Sequence, residues 1–532
     1  MFPFDMLFSQ ASRRTLVAMA AWFACAVMAQ APPAASPADP RFAVLEFRIE
    51  GNTVLPSERI ERTVYPFMGE QRSAADVEAA RVALEAEYRF AGYGTVVVDT
   101  PEQRIVDGVV TLQVIEAPIS RLRVVGARYY SQGRLLQKVP ALAEGEVPNF
   151  QSVTAQLGAV QTADRRVTPL LRPGKQPGTT EVDLTVEDKL PLHGSLEISD
   201  KYSANTTRTR LQATLRYDNL WQREHSIGLQ AQTSPEDINE VQVWSLSYTM
   251  PRTDGLWILS AISSNSNTVA GVGDTSVFGR GSIFGLRRLL VLQGTDTWNH
   301  NITLGVDYKD FKESVSVGAN EGFDTPIHYL PFSAVYSNTI TDKQGFWQAG
   351  GGITFAVRGF GSKETQFQDK RFMAQSNFSI LKGNLSRTHK LAGGLTLHGA
   401  VEGQFSGQAL ISNEQFVAGG VDSVRGYLDA TAVGDKALRG SIELRSGNLA
   451  PQRFAWLGGL TAHAFIDGAA LYLNDPLPQQ THRFGLLSTG FGLRVQALQY
   501  ARLALDLAWA LRDAGTVGKG DFRVHASGVV EF

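Results

Sequence analysis

Arg425 sits in the run Asn413 to Asp435, NEQFVAGGVDSVRGYLDATAVGD, with Val424, Gly426 and Tyr427 as its immediate neighbours. A guanidinium stays charged at every physiological pH and presents a rigid fork of donors. Set between apolar residues it is a fixed cation that looks for a buried partner; the alternative is an exposed surface hairpin with an incidental arginine, and the barrel-like strands around it favour the first. Gly419, Gly420 and Gly426 permit the sharp turns such a run needs. Other reactive types are poorly placed. Gly515 to Gly520, GTVGKG, has a lysine among glycines but neither the spacing of a phosphate-binding loop nor the Ser/Thr that follows one, so it reads as an external loop. Nine histidines show no metal-ligand spacing, and neither a nucleophile elbow nor a paired catalytic carboxylate occurs. The reading is no enzyme, no catalytic residue, no metal, no cofactor and no nucleotide.

The elements around Arg425 alternate with a period of two residues. In 208–218, Arg208, Arg210, Gln212, Thr214, Arg216 and Asp218 share one side, and Leu211, Ala213, Leu215 and Tyr217 the other. In 301–309, Asn301, Thr303, Asp307 and Lys309 oppose Ile302, Leu304, Val306 and Tyr308; in 502–509, Arg502 and Asp506 oppose Leu503, Leu505, Leu507 and Trp509. A soluble sandwich alternates too, but regular charge inside strands suits a wall with lipid on one side and a wet lumen on the other. Pro191 to Phe532 allots about 21 residues to each of sixteen antiparallel strands with its connection. Turns alternate as well: Pro251–Gly255 and Thr341–Gly345 are tight, Ser263–Ser282 and Lys312–Pro326 long. That asymmetry fits short periplasmic turns and longer external loops, and it puts the Arg425 run among the long ones, between the eleventh and twelfth strands. In Thr461 to Leu473, parity sends Ala462, Ala464 and Ile466 to lipid and Thr461, His463, Phe465 and Asp467 to the lumen, so Asp467 is an inward carboxylate. The last strand carries Phe522, Val524, Ala526, Gly528, Val530 and Phe532 on one face.

Before the barrel lie shorter units. Arg13 and Arg14, the apolar run Thr15 to Met28 and the small residues around Ala29 predict a secretory signal at 1–29. A lipoprotein reading at Cys25, the single cysteine, is the minor alternative. Residues 30–41 include the linker APPAASPADP. Residues 42–117 read strand, helix, helix, strand, strand: Val44, Glu46, Arg48 and Glu50 alternate with Leu45, Phe47 and Ile49, Pro56-Ser57-Glu58 opens a short helix, and Ser73 with Asp76 caps a second whose face is Val77, Ala80, Leu84 and Tyr88. Thr95–Val98 and Val109–Ile115 close the unit. Residues 118–188 repeat the order, with Ile119–Val125 as first strand, Leu135 and Leu136 on one helix, Val153, Leu157 and Val160 on the next, and Val182, Leu184 and Val186 alternating in the closing strand. A net charge of −2 advertises no nucleic-acid surface, and 51 glycines with a mean hydropathy of −0.11 do not suit a helical membrane protein.

Phe416 to Tyr427, FVAGGVDSVRGY, resembles the signature loop of two-partner secretion outer-membrane transporters of the haemolysin secretion/activation type. GYGTVVVDTPEQRIVDGVVTLQVIEAPI is similar to the first periplasmic POTRA domain of that family, and Phe465-Ile466-Asp467-Gly468 resembles its aromatic-x-Asp-x-Gly wall motif with the glycine one place early. The resemblance implies that loop 410–435 folds into the lumen as a gate made of Val424, Arg425, Gly426 and Tyr427, and that Arg425 forms a bidentate pair with Asp467 on a wall that also offers Phe465 and Gly468. It implies that Phe532 is the recognition signal for the barrel-assembly machinery, although Ser527 stands where glycine is common. Some relatives carry an N-terminal plug helix; linker 30–41 leaves little room for one.

The fold class expected is thus a sixteen-stranded membrane β-barrel at 190–532 preceded by two α+β POTRA-like domains, in the bacterial outer membrane. The first functional reading is a pore, with porin activity, that secretes one large unfolded exoprotein, haemolysin- or adhesin-like; outer-membrane lipid and, during biogenesis, the assembly machinery are the other partners, and nucleic acid is none. The alternative is an assembly chaperone or insertase, which two modules alone disfavour, and a passive porin leaves the modules unexplained. The modules themselves are either spacers or strand edges on which an unfolded client adds a strand.

Overall fold

The computed structural model describes residues 40–204, 206–266, 269–272, 275–312, 314–316 and 322–532. The expected signal at 1–29, Cys25 and nearly all of linker 30–41 lie outside the described residues. Two compact units are present: residues up to Arg123 with Val139–Gly158 and Leu170–Asp183, and Val124–Lys138, Ala159–Pro169 and Leu184–Phe532.

In the first repeat, Glu46–Glu50 pairs parallel with Val109–Ile115, whose other edge takes Val97–Asp99 antiparallel. Helix Ala74–Phe90 opens on a reciprocal Ser73–Asp76 box, with the Ser73 N–H donating to Asp76 at 2.8 Å and the Asp76 N–H to Ser73 Oγ at 3.4 Å. Its Val77, Ala80, Leu84 and Tyr88 are buried, as the spacing of three and four residues predicts, against Ile60 and Val64 of helix Ser57–Val64 and Val110, Leu112 and Val114 of the sheet. The first strand differs from its sequence reading. Val44 is fully buried and Leu45 is 56% exposed, the reverse of one continuous alternation. Phe42–Val44 pairs with a further strand, Gly69–Arg72, while Glu46–Glu50 joins the main sheet, so the alternation breaks where the chain changes partners.

The second repeat holds strand Ile119–Val125, helices Gln132–Gln137 and Phe150–Val160, and strands Arg165–Pro173 and Thr180–Asp188, with Thr180–Asp188 in the middle of its sheet. Val182, Leu184 and Val186 are buried. Residues 124–138 and 159–169 group with the barrel because they bond to its first periplasmic turn: Asn219 Nδ2 donates to Tyr129 O at 3.1 Å, and Arg165 and Lys138 both pair with Glu224.

The barrel closes with sixteen antiparallel strands. The first two are Leu192–Ser199 and Arg210–Leu220; the seventh and eighth are Trp298–Phe311 and Ile327–Asp342; the eleventh to sixteenth are Thr396–Phe405, Lys436–Arg445, Leu457–Tyr472, Arg483–Ala497, Ala501–Ala510 and Phe522–Glu531. Parity holds along them. Leu215, Leu304, Ile466, Leu503 and Phe522 stand outward and exposed, whereas Arg210, Asp467 and Asp506 on the opposite faces are each 1% exposed. Residues 253–254 and 343–344 are the tight turns; the loop expected over Ser263–Ser282 is shorter, since its flanking strands run to Asn265 and resume at Gly281. Closure is between first and last strands, and Phe532 N–H and C=O exchange hydrogen bonds with Gly194 at 3.0 Å while the Phe532 ring points outward. A side chain at Gly194 would meet that ring at 2.2 Å. Among the described residues no helix is long and apolar enough to cross a membrane, which has no bearing on crossing by strands.

Candidate functional site

The long connection between the eleventh and twelfth strands turns inward. Phe416–Ala418 and Ala432–Gly434 pair as the stem of a hairpin whose tip carries Arg425. One foot is tied to barrel strands and the other to neighbouring connections. Glu414 accepts from Lys309 Nζ and Tyr329 Oη, each at 2.6 Å. Asp435, fully buried, accepts from Arg371 Nη1 at 2.5 Å and Nη2 at 2.7 Å, and from the backbone N–H groups of Asn474 at 2.7 Å and Leu410 at 3.1 Å.

At the tip, Arg425 Nε and Nη2 donate to Asp467 Oδ2 and Oδ1 at 2.7 and 2.9 Å, a bidentate fork. Nη1 donates to Glu443 at 2.8 Å, and Asp506 lies 3.8 Å away. The guanidinium carbon sits 3.4 Å from the Phe465 ring centroid, so the cation has carboxylates around its edge and a π face beneath it. The wall register sets this up: Ser441 stands opposite Asp467 and Glu443 opposite Phe465, all on inward positions. Ser441 Oγ donates to Asp467 at 2.7 Å; Arg445 holds Glu443 at 2.6 Å; His463 and Arg494 hold Asp506 at 2.6 and 2.8 Å.

The neighbours of Arg425 complete the seat. Val424 and Tyr427 are fully buried in a cluster with Ala418, Ala469, Leu471, Leu486, Ala510 and Val517. The Tyr427 hydroxyl lies 2.9 and 2.8 Å from the carbonyls of Leu487 and Arg512. Gly426 has φ +89°, donates its N–H to His525 Nε2 at 3.0 Å, and leaves a Cβ 3.3 Å from Ala508. The structure therefore brings Val424, Arg425, Gly426 and Tyr427 together with Phe465 and Asp467. It does not bring in Gly468, which faces the other side of its strand beside Leu487, or Phe532, which is 73% exposed at the barrel seam. Glu443, Asp506 and His525 are not among the site residues expected from sequence, although Asp506 is on the polar face of its strand; inward parity on strands 436–445, 501–510 and 522–531 is the signal they carry.

The family described as haemolysin secretion/activation protein ShlB/FhaC/HecB matches residues 178–495, more than half of the chain, and the ShlB-type POTRA domain matches residues 42–117. An outer membrane transporter CdiB of Dickeya dadantii is 24% identical over 453 residues, covering 81% of this chain and 77% of that protein. Among solved structures, CdiB from Escherichia coli superposes with a TM-score of 0.62 at 19% identity over 95% of this chain and 93% of that one. BamA from Haemophilus ducreyi lacking POTRA domains 1–3 does so with a TM-score of 0.57 at 12% identity, over 92% of this chain and 100% of that one, a likeness of fold.

Proposed function

Because this chain belongs to the haemolysin secretion/activation family ShlB/FhaC/HecB, we propose that its 410–435 loop is the gate of the pore and that Arg425, held by Asp467 and Glu443, is the lock. The protein is an outer-membrane transporter of two-partner secretion, with its POTRA domains in the periplasm and a secreted exoprotein as its partner. The observation that carries the gate is the fork from Arg425 to Asp467, which spans from loop tip to barrel wall within the lumen. Sixteen strands enclose an aqueous lumen wide enough for an extended chain once the hairpin leaves. Val424, Gly426 and Tyr427 fit the loop to its seat, Phe465 gives the cation a floor, and Phe532 marks the closing strand for the assembly machinery. The domains proposed are a signal at 1–29, a linker at 30–41, POTRA-like units at 42–117 and 118–188, and the barrel at 190–532.

The client is a large, unfolded, haemolysin- or adhesin-like chain. In the sheet of the second module, Ile119–Val125 and Arg165–Pro173 are the outer strands, and an extended client adds to such an edge by main-chain hydrogen bonds with little demand on sequence. Transport, driven by client folding outside the cell, is the activity proposed, with no catalysis, cofactor or nucleic acid involved. Likeness to BamA leaves assembly of other barrels as the second reading, and two modules in place of a longer array disfavour it.

A disulfide tests the gate. Cβ atoms at 426 and 488 would lie 3.5 Å apart, within the range a disulfide bridges, although a cysteine in place of Gly426 would carry some strain at positive φ. G426C/S488C should secrete its client when reduced and stop when oxidised; equal secretion in both states, with the cross-link formed, refutes gating by this loop.

A further inference from the structure

A second cluster of ionisable groups lies at the periplasmic end of the barrel, where neither the gate nor its wall uses it. Asp164 occupies the turn before strand Arg165–Pro173, closed by a bridge between Thr162 and Arg165. His193 is the second residue of the first barrel strand and stands opposite Arg216 of the second. Asp218, two residues beyond Arg216, projects from the same face. One donor atom from each of Asp164, His193 and Asp218 lies within 4.8 Å of the other two.

Hydrogen bonding alone leaves this cluster unsatisfied. His193 Nε2 is 2.7 Å from Asp164 Oδ2 and 3.4 Å from Asp218 Oδ2. One imidazole nitrogen carries at most one hydrogen, so it satisfies one carboxylate and has nothing for the other. The Asp164 side chain is 4% exposed, and its Oδ1 accepts no hydrogen bond. Lys189 Nζ approaches that oxygen to 3.9 Å, from a side chain 71% exposed. Arg216 Nε, also on a largely exposed side chain, reaches Asp218 at 2.9 Å. A buried carboxylate with one oxygen lacking a donor is costly to keep charged, and a cation bound through its Oδ2 beside His193 and Asp218 would offset that charge.

We propose that Asp164, His193 and Asp218 bind one divalent zinc-class cation, with water in the fourth position. An imidazole nitrogen with two carboxylates is a donor set that suits zinc, whereas magnesium and calcium take oxygen alone. Zinc bonds of about 2.0–2.2 Å put neighbouring ligand atoms about 3.4 Å apart in a tetrahedron. The His193 to Asp218 spacing of 3.4 Å already has that value, and the 2.7 Å contact to Asp164 must open by about 0.7 Å as the proton leaves Nε2. The ion joins the Asp164 turn to the first barrel hairpin, independently of Arg425.

Metal-stripped full-length protein in detergent, dialysed against micromolar zinc and then analysed for metal, should hold one zinc per chain, and cobalt should give the visible bands of a tetrahedral site. H193A and D164N should each lower occupancy at least tenfold, whereas H482A, altering a histidine remote in sequence, should keep it. Heat-modifiable migration on gels confirms that each variant is folded. Wild-type chain alone gives the second readout: zinc should slow carbethoxylation of His193 relative to His482, as mapped by mass spectrometry. Zinc content equal in wild type and H193A, or no protection of His193 at saturating zinc, overturns the proposal.

Discussion

Replacing Arg425 by alanine should unseat the loop while leaving the barrel folded. In the docked loop the guanidinium gives Asp467 hydrogen bonds at 2.7 and 2.9 Å and Glu443 one at 2.8 Å. Alanine keeps the backbone N–H of residue 425, 3.2 Å from Asp467, and the Ser441 hydroxyl stays at 2.7 Å, but no cation remains on a carboxylate that is 1% exposed. Removing one partner of a buried pair costs about 3–5 kcal/mol. With a tenfold change for about every 1.4 kcal/mol, the ratio of docked to undocked loop should fall by roughly a hundredfold to a few thousandfold. The undocked state escapes the penalty, because Asp467 then faces water. Single-channel recording in planar bilayers reads this directly as greater occupancy of the open level, using protein whose heat-modifiable migration shows a closed barrel. An R425A pore with wild-type open occupancy refutes the reasoning. A correctly inserted R425A that secretes normally refutes the role of the lock in export.

Arg371→Ala should free the foot of the loop by a comparable ~3–5 kcal/mol, since Asp435 is fully buried and loses the guanidinium that grips both its oxygens; faster proteolysis between residues 406 and 435 is the readout. Ser73→Ala removes one half of the capping box and should cost about 1 kcal/mol locally, seen as faster amide exchange in the first turn of helix Ala74–Phe90 of the intact chain. Burial tends to raise the Glu224 carboxyl, but hydrogen bonds from Lys138 and Arg165 outweigh it and hold it below the usual range. Its contribution is therefore present above the unfolded value of about 4.3 and is lost as pH falls through the lower folded value. Pepsin should cut residues 131–138 faster as pH drops through that window, and E224Q should cut fast at either end of it.

Strand parity was legible because the barrel wall has two unlike solvents, so each substitution of face is written in the residue type: Ile466 outward, Asp467 inward. The Ser73 box and the 77–80–84–88 stripe were legible because a helix end and a helix face are local. What escaped is register and partner change. Glu443 and Arg445 are both inward charges of one strand, and only the pairing of Glu443 with Phe465 and of Ser441 with Asp467 selects Glu443 for Arg425. Strand Arg165–Pro173 was hidden by Pro169 and Pro173, which an edge strand tolerates and a central one does not. Asp164, His193 and Asp218 meet through a turn and a hairpin, so their spacing in the chain carries no motif.

The carboxylates around Arg425 are not equivalent, and the difference explains how a buried lock can also be released. Glu443 is also held by Arg445 at 2.6 Å and Asp506 by Arg494 and His463, all of them wall residues rather than loop residues. Among the described residues Asp467 has no wall cation; besides residue 425, its hydrogen-bond donor is Ser441. Release therefore exposes one carboxylate that must find water, while its two neighbours remain neutralised by the wall. A buried pair contributes little net stability because desolvation offsets attraction, yet half a pair is strongly unfavourable. It follows that D467N should destabilise the docked loop, though less than R425A because Arg425 keeps its bond to Glu443, that E443Q should do so less again, and that R425M/D467L, which removes both charges, should recover much of the closed state. If E443Q opens the pore as far as D467N, the wall does not share out the charge in this way, and the lock must be a property of all the carboxylates together.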